Sequence, residues 1–391
     1  MDPRTNPYSP GAGTPPPELA GRDELLERAS IALDRVRAGR SARSLILWGL
    51  RGVGKTVLLN RIRLDAEARG FISARIEAPE GKSLPASLAP ALRAALLRLD
   101  RLEAVRAKAG DAMAALAGFV GALRLRYGDI EASMDVTGQR GLADSGDLEL
   151  DLSDLISAVG EAAQARDTAV VLYVDELQYV PEDQLGALIT AFHNASQQGL
   201  PITMVAAGLP QLVGRSGRAK SYAERLFEFA EIGKLDAAAA TRALEAPALE
   251  HGVDYAPGAI DTILRQTQGY PYFLQEWGKH SWNVADGSPI ERTDAEQATV
   301  DALAELDQSF FKVRLDRLTP SEKRYLTAMS ELGPGPHRSG DIAEALGKPV
   351  ASVAFVRNSL IEKGMIYSPG HGDTAFTVPL FDDFMRRTVL R

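Results

Sequence analysis

The sequence contains no cysteine. Disulfides, thiolate metal sites and cysteine nucleophiles are therefore excluded, and the composition suits a reducing compartment. A bilayer-spanning run is also missing. The apolar stretch Ala112 to Leu123 lies between Asp111 and Arg124 and is well short of the ~20 residues that a spanning helix needs. The first residues are proline-rich and polar rather than basic and then apolar, so no signal peptide is expected. The expectation is a cytoplasmic protein without membrane attachment. Excess positive charge is absent too: the net charge of -8 argues against nucleic-acid affinity spread over the whole surface and leaves room only for a local basic patch. What remains is an ordinary globular composition, 45% hydrophobic and 25% charged over 391 residues, enough for two or three domains.

Residues 1–17 hold six prolines and are expected to form a disordered, extended tail that builds no core. From Asp23 to Arg37, apolar residues recur at helical spacing (Leu25, Leu26, Ala29, Leu33, Val36), which predicts a helix. An alternation follows. Short apolar runs at Ser44–Trp48, Phe71–Glu77, Ala169–Val174 and Pro201–Ala206, with a last one within Phe227–Leu235, alternate with helical patterns at Val57–Arg69 and Gln184–Gln197. Continuous apolar strands separated by helices predict a parallel sheet covered on both faces. The long crossover between Glu77 and Ala169 reads as a helical part (Leu84–Ala117), a hairpin within Ala122–Val136, a loop at Gly138–Gly146 and a helix at Leu148–Ala165. Beyond Asp236 the pattern is helical (Ala237–Glu250, Pro257–Gln268, Tyr272–Val284, Asp294–Leu315), until Thr319-Pro-Ser-Glu322 opens a last module with a capping residue, a proline at the first helical position and a glutamate at the third.

The strongest chemical signal is Gly49-Leu50-Arg51-Gly52-Val53-Gly54-Lys55-Thr56, set between a strand and a helix. Phosphates need several backbone N–H donors converging on one point, which a glycine-rich loop can offer, and the next helix adds the positive end of its dipole. With Val57, these residues form the expected phosphate cradle for ATP or ADP. Lys55 reaches the terminal phosphates and Thr56 places its hydroxyl on Mg2+. A carboxylate is expected at the end of a neighbouring strand. Val170–Val174 leads into Asp175 and Glu176, so Asp175 is the second candidate magnesium residue and Glu176 the candidate base for the attacking water.

Together these pieces resemble the AAA+ superfamily, in particular the branch of origin-recognition (ORC/Cdc6-like) ATPases and the STAND-like signalling ATPases. The resemblance implies an α/β P-loop core, a helical lid and a C-terminal winged-helix domain. The boundaries read as an ATPase core at 18–235, a lid at 236–315 and a winged helix at 316–391. Leu19-Ala-Gly21-Arg22-Asp23-Glu24-Leu25 is similar to the segment that borders the adenine in that superfamily, and Gly269-Tyr-Pro271 to the lid motif of the signalling branch; both imply nucleotide contacts at Arg22 and Pro271. Two departures imply slow hydrolysis. The fourth strand ends in Ala206-Ala207-Gly208 where a polar sensor is usual, unless Thr203 substitutes, and Tyr270-Pro-Tyr-Phe273 stands where a lid arginine is usual. Among Arg215, Arg218 and Arg225, Arg225 is the first candidate for an arginine finger, which implies a homo-oligomer.

In the last module, helices at Ser321–Leu332, Ser339–Leu346 and Val350–Lys363 precede two short strands around a glycine-rich turn, the winged-helix order. Its third helix carries Lys348, Ser352, Arg357, Asn358 and Lys363, and the module from Asp316 onward has ten basic and nine acidic residues. Two functions stay open. One is a slow Mg2+-dependent ATPase acting on double-stranded DNA, of the initiator or mobile-element helper type. The other is a nucleotide-gated signalling switch whose winged helix binds protein.

Overall fold

The computed structural model of the chain describes residues 1–78, 81–99, 106–123 and 142–388. Its contacts divide into two compact units. One is Glu24–Trp48 with Leu58–Glu231; the other is Met1–Asp23 with Gly49–Val57 and Ile232–Arg391.

The first unit is built on a sheet. Its strands are β1 (Ser44–Trp48), β2 (Ile72–Glu77), β3 (Val170–Asp175), β4 (Ile202–Gly208) and β5 (Phe227–Glu231), in the order β2-β3-β4-β1-β5 and parallel throughout. Every residue of β3 and β4 is buried, as expected of central parallel strands covered on both faces. The helices are α1 (Asp23–Arg37), α2 (Lys55–Ala68), α3 (Leu84–Leu99), α4 (Arg106–Leu123), α5 (Leu148–Ala165), α6 (Glu182–Gln197), α7 (Gln211–Ala219) and α8 (Ala223–Leu226). In α1 the buried residues are Leu25, Ala29, Leu33 and Val36, one stripe of the helix. The stretch Leu84–Ala117 divides between α3 and α4. The hairpin expected within Ala122–Val136 falls outside the described residues after Leu123, which closes α4.

One core runs beneath the sheet through α3, α4, α5 and α6, from Ile76 and Leu92 through Phe119 and Ile156 to Phe192. Because all strands are parallel, the carboxyl ends of β1, β3 and β4, at Trp48, Asp175 and Gly208, share one edge of the sheet. That edge is where open α/β sheets place their chemistry.

The second unit is largely helical: α9 (Ala237–Leu249), α10 (Pro257–Thr267), α11 (Pro271–Val284), α12 (Arg292–Glu305), a π-helical turn at Leu306–Phe311, α13 (Lys312–Asp316) and α14 (Pro320–Glu331). β6 (His337–Arg338), α15 (Ser339–Ala345), α16 (Val350–Glu362), β7 (Ile366–Tyr367), β8 (Asp373–Phe376) and α17 (Phe381–Thr388) complete it, with the antiparallel order β6-β8-β7. The start of α14 has the expected reciprocal caps: Thr319 N–H donates to Glu322 Oε2 at 2.7 Å and Glu322 N–H to Thr319 Oγ1 at 3.4 Å. Aromatic rings join α11 to α17. Tyr272 stacks on Phe310 at 4.9 Å between centroids, Phe311 stacks on Phe384 at 5.1 Å, and Arg314 lies over the Phe310 ring at 3.8 Å.

Residues 1–17 depart from the expected disordered tail. Tyr8 is buried, its hydroxyl donates to the Leu244 carbonyl, and its ring lies against Gly278, where a Cβ would approach Tyr8 Cδ1 to 2.6 Å. Asn6 Nδ2 donates to the Lys279 carbonyl at 2.9 Å, and Trp282 Nε1 to the Asp2 carbonyl at 3.1 Å. The segment has no core of its own. It is held by α11, whose glycine opens a slot for one aromatic ring.

Candidate nucleotide site

Strand β1 ends at Trp48, and the loop Gly49–Gly54 follows before Lys55 opens α2. Its glycines are required by geometry. A Cβ on Gly49 would lie 2.1 Å from the Ile232 carbonyl oxygen, while Gly52 and Gly54 take φ of 79° and 91°, which side chains disfavour. Lys55 is buried, and its ammonium donates to the Gly49 carbonyl at 3.0 Å and the Leu50 carbonyl at 2.7 Å. Neutral carbonyls hold an ammonium less strongly than an anionic phosphate does, so the lysine can transfer to phosphate oxygens. Thr56 sits where a Cβ on Gly13 would meet its methyl at 3.0 Å. A loop whose glycines are set by crowding at Gly49 and by positive φ at Gly52 and Gly54, followed by a lysine and a hydroxyl at a helix start, suits a magnesium-bound triphosphate.

Other segments of the same unit hold this loop. Tyr272 N–H at the start of α11 donates to the Gly52 carbonyl at 3.1 Å. Arg51 N–H donates to the Thr377 carbonyl at 3.0 Å, and Arg51 Nε to the Gly364 carbonyl at 3.4 Å. Thr377 is fully buried; its N–H bonds the Met365 carbonyl at 3.0 Å and its hydroxyl turns onto the Gly364 and Met365 carbonyls. The carbonyl of a residue fixed at the end of the C-terminal hairpin thus meets the loop backbone. Sequence gave no signal for this contact, because neither partner is distinctive on its own.

Arg22 is partly buried rather than a surface charge. Its guanidinium donates to the Gly233 carbonyl at 2.5 Å, and burial pulls its pKa below the usual arginine range. Gly21, at φ 67°, abuts Ala239 and Leu235; Leu235 N–H in turn donates to the Gly269 carbonyl at 2.9 Å. Pro271 is the first residue of α11, where its missing N–H loses nothing. The structure therefore brings Arg22, the Gly269–Pro271 turn and the loop glycines together through Leu235 and Tyr272.

In the first unit, β3 delivers Asp175 buried at its end, and Asp175 Oδ1 accepts the Glu176 N–H at 2.9 Å. Glu176 sits at φ 54°, a left-handed conformation rare for a non-glycine residue. Its carboxylate accepts from Gln178 Nε2, and Gln178 Oε1 accepts the Leu209 N–H at 3.0 Å. Thr203 lies near the amino end of β4, with its hydroxyl 3.0 Å from that of Ser44, the first residue of β1.

The arginines separate by environment. Arg215 donates to the Gln178 and Val180 carbonyls, the latter at 2.8 Å, and Arg218 reaches Glu182 at 3.5 Å. Arg225, in α8, is exposed, and no ion pair with another described residue engages its side chain.

Residues 18–205 match the family model described as "AAA ATPase domain", and residues 308–385 match one described as "Domain of unknown function (DUF8462)". A sequence search of curated proteins finds no match. Among solved structures, the chain is similar to the Walker-type ATPase PABY2304 of Pyrococcus abyssi at 16% identity, with 95% of this chain and 97% of that chain covered and a TM-score of 0.58. It is also similar to the ORC1 protein of Aeropyrum pernix, solved in complex with DNA (16% identity, 96% and 94% covered, TM-score 0.46), and to the RuvB Holliday junction branch migration motor of Thermotoga maritima (14%, 94% and 95%, TM-score 0.43). With its five-stranded parallel sheet and glycine-rich loop, and with residues 18–205 matching an AAA ATPase domain, the chain has the α/β fold of an AAA+ P-loop ATPase.

Proposed function

We propose that the chain is a nucleotide-gated switch. It binds magnesium ATP, hydrolyses it slowly, and couples the bound nucleotide to whether its C-terminal module stays clasped on the P-loop. The observation that carries this reading is the 3.0 Å hydrogen bond from Arg51 N–H to the Thr377 carbonyl. A module that bonds the phosphate loop itself is sensitive to how phosphates arrange that loop, which is the differential interaction a switch requires.

In this reading residues 18–235 are the ATPase core, 236–315 the lid and 316–391 a winged helix. Gly49–Val57 cradles the phosphates, Lys55 meets the terminal ones, and Thr56 and Asp175 hold magnesium. Arg22 and Pro271 border the adenine. Magnesium, when bound, draws charge from the phosphate oxygens. Glu176 orients the attacking water and takes its proton. The apolar end of β4 and the absence of a lid arginine at Tyr270–Phe273 support slow turnover. Of the three candidate arginines, Arg225 is exposed and without an ion pair among the described residues, which leaves it for a neighbouring copy.

The third helix of the module favours a protein partner over DNA. Arg357 is folded onto the hairpin, with Nε on Thr374 Oγ1 and Nη2 on Ser368 Oγ, both at 3.0 Å. Lys363 bonds Glu322 at 2.8 Å. The exposed residues of α16 are Val350, Ala351, Ser352, Ala354, Phe355, Asn358 and Glu362, with Phe355 83% exposed. Affinity for duplex DNA rests on cations that reach phosphates, and exposed residues whose one charge is the acidic Glu362 do not supply them. Lys348, exposed before α16, is what remains in favour of the DNA-acting reading. ATP turnover measured with and without duplex DNA tests the choice. Slow turnover indifferent to DNA is expected, and severalfold acceleration by DNA would move the assignment to an initiator-type ATPase.

A further inference from the structure

The fourth strand ends without a polar side chain, at Ala206, Ala207 and Gly208, and the space where one would project is filled from elsewhere. A Cβ on Gly208 would lie 2.7 Å from Leu212 Cδ2 and 2.8 Å from Gln178 Oε1. Gln178 belongs to the turn after β3 and is 3% exposed. Its Oε1 accepts the Leu209 N–H at 3.0 Å, and its Nε2 donates to the Glu176 carboxylate. A side chain at the end of β4 and the buried glutamine thus compete for the same volume, and this chain has the glutamine.

We propose that Gln178 is a positioning residue for ATP hydrolysis, tying the Glu176 carboxylate to the end of β4 in place of a sensor side chain on that strand. The proposal rests on the reading of Glu176 as the base. The chemistry of the amide suits the task. One end donates to an anionic carboxylate and the other accepts from a buried backbone N–H, so a single side chain satisfies both without adding charge. A glutamate there would set a second carboxylate against Glu176, and an apolar residue would strand the Leu209 N–H.

The turn is itself braced. Arg215 donates to the Gln178 and Val180 carbonyls, and Asp175 Oδ1 accepts the Glu176 N–H at 2.9 Å. Glu176 is held in a left-handed backbone conformation at φ 54°, a strained state that persists where surroundings enforce it. Asp175 fixes its backbone and Gln178 fixes its carboxylate. A displaced Leu209 would reach the carboxylate through this one amide, so the end of β4 reports to the base without a polar residue of its own.

The test uses the full chain with ATP and magnesium. Gln178→Met, similar in length and unable to donate or accept strongly, should lower kcat by roughly 10²-fold, the scale of a misplaced general base, while ATP affinity changes less than about threefold. In a Glu176→Gln background the same substitution should lower residual turnover no further, because both changes remove one function. Gln178→Glu keeps the acceptor for Leu209 and replaces the donor by a like charge. Its kcat should fall with ATP affinity nearly unchanged, since like charges repel and the Glu176 carboxylate loses its donor. A role in packing alone would instead add its loss to that of Glu176→Gln. If Glu176→Gln is inactive yet folded Gln178→Met or Gln178→Glu turns over like wild type, the positioning role is wrong. If Glu176→Gln itself keeps wild-type turnover, the reading of the base fails instead. Should Gln178→Met not fold, Gln178→Glu alone decides: wild-type kcat overturns the proposal.

Discussion

Replacing Glu322 with glutamine removes the negative charge at the start of α14 while keeping its shape. Glu322 is buried and accepts from Lys363 Nζ at 2.8 Å, Ser359 Oγ at 2.8 Å and Thr319 N–H at 2.7 Å. Burial alone would raise its pKa, but the Lys363 ammonium and the hydrogen bonds from Thr319 and Ser359 outweigh it and hold the carboxyl down from 4.5 to about 2. A depression of that size stabilises the folded form by roughly 3 kcal/mol, and the partial exposure of the Lys363 side chain, 38%, trims this to about 2 kcal/mol. The folded pKa lies below the unfolded one, so the contribution is complete above pH 4.5 and lost as pH falls toward 2. Urea unfolding of wild type and Glu322→Gln at pH 7 and near pH 3 measures it. The gap between the two proteins should be about 2 kcal/mol at pH 7 and should narrow to about half that near pH 3, where the unfolded carboxyl is protonated and the folded one still largely ionised, other carboxylates being common to both. An equal gap at both pH values would refute the reasoning, because it would mean that the charge of Glu322 contributes nothing.

Three further outcomes are expected. Lys55→Ala should weaken ATP binding by about 10²-fold in calorimetry, from the ~1.5–3 kcal/mol that a hydrogen bond to a charged group contributes; unchanged affinity would remove Lys55 from the phosphate site. Arg225→Ala should leave ATP affinity near wild type and lower turnover, and mixing it with Glu176→Gln should restore activity through interfaces that contain both intact residues. Turnover independent of protein concentration, without rescue in the mixture, would rule out a shared site. Gly278→Ala should lower the melting temperature and speed amide exchange in residues 1–13, because the new Cβ expels the Tyr8 ring; a higher melting temperature, as alanine's helix preference of about 1 kcal/mol over glycine would give, would contradict the packing of the strap.

The sheet was legible in the sequence because central parallel strands are apolar throughout: Val170–Val174 and Ile202–Ala206 admit no other burial pattern. Helix α5 spans the Leu148–Ala165 that periodicity indicates, and the spacing of Gly49, Gly52 and Gly54 foreshadows the positive φ at the latter two. The rest depends on partners distant in the chain. A proline-rich composition signals an unstructured tail, and the slot for Tyr8 exists only because Gly278 interrupts α11. Thr203 reads as a possible sensor until strand register sets it beside Ser44. Gln178 follows two acids and reads as one more solvated polar residue until β4 closes over it, and nothing in Arg51 or Thr377 announces that their backbones meet. Arg357 and Lys363 count as basic in the sequence, yet both are spent on contacts inside the module.

The central claim is that nucleotide governs the contact between the C-terminal module and the P-loop, and the lack of native cysteine makes it directly measurable. In an Arg51→Cys, Thr377→Cys chain whose ATP binding has been verified, disulfide formation can be timed with ADP and with a slowly hydrolysed ATP analogue, each with magnesium. The backbones of these residues share a 3.0 Å hydrogen bond, close enough for the cross-link to form in the clasped state. The account predicts rapid cross-linking with ADP, at least tenfold slower cross-linking with the ATP analogue, and loss of ATP turnover in the cross-linked chain that reductant restores. Equal cross-linking rates with both nucleotides, and undiminished turnover in the cross-linked chain, would contradict it.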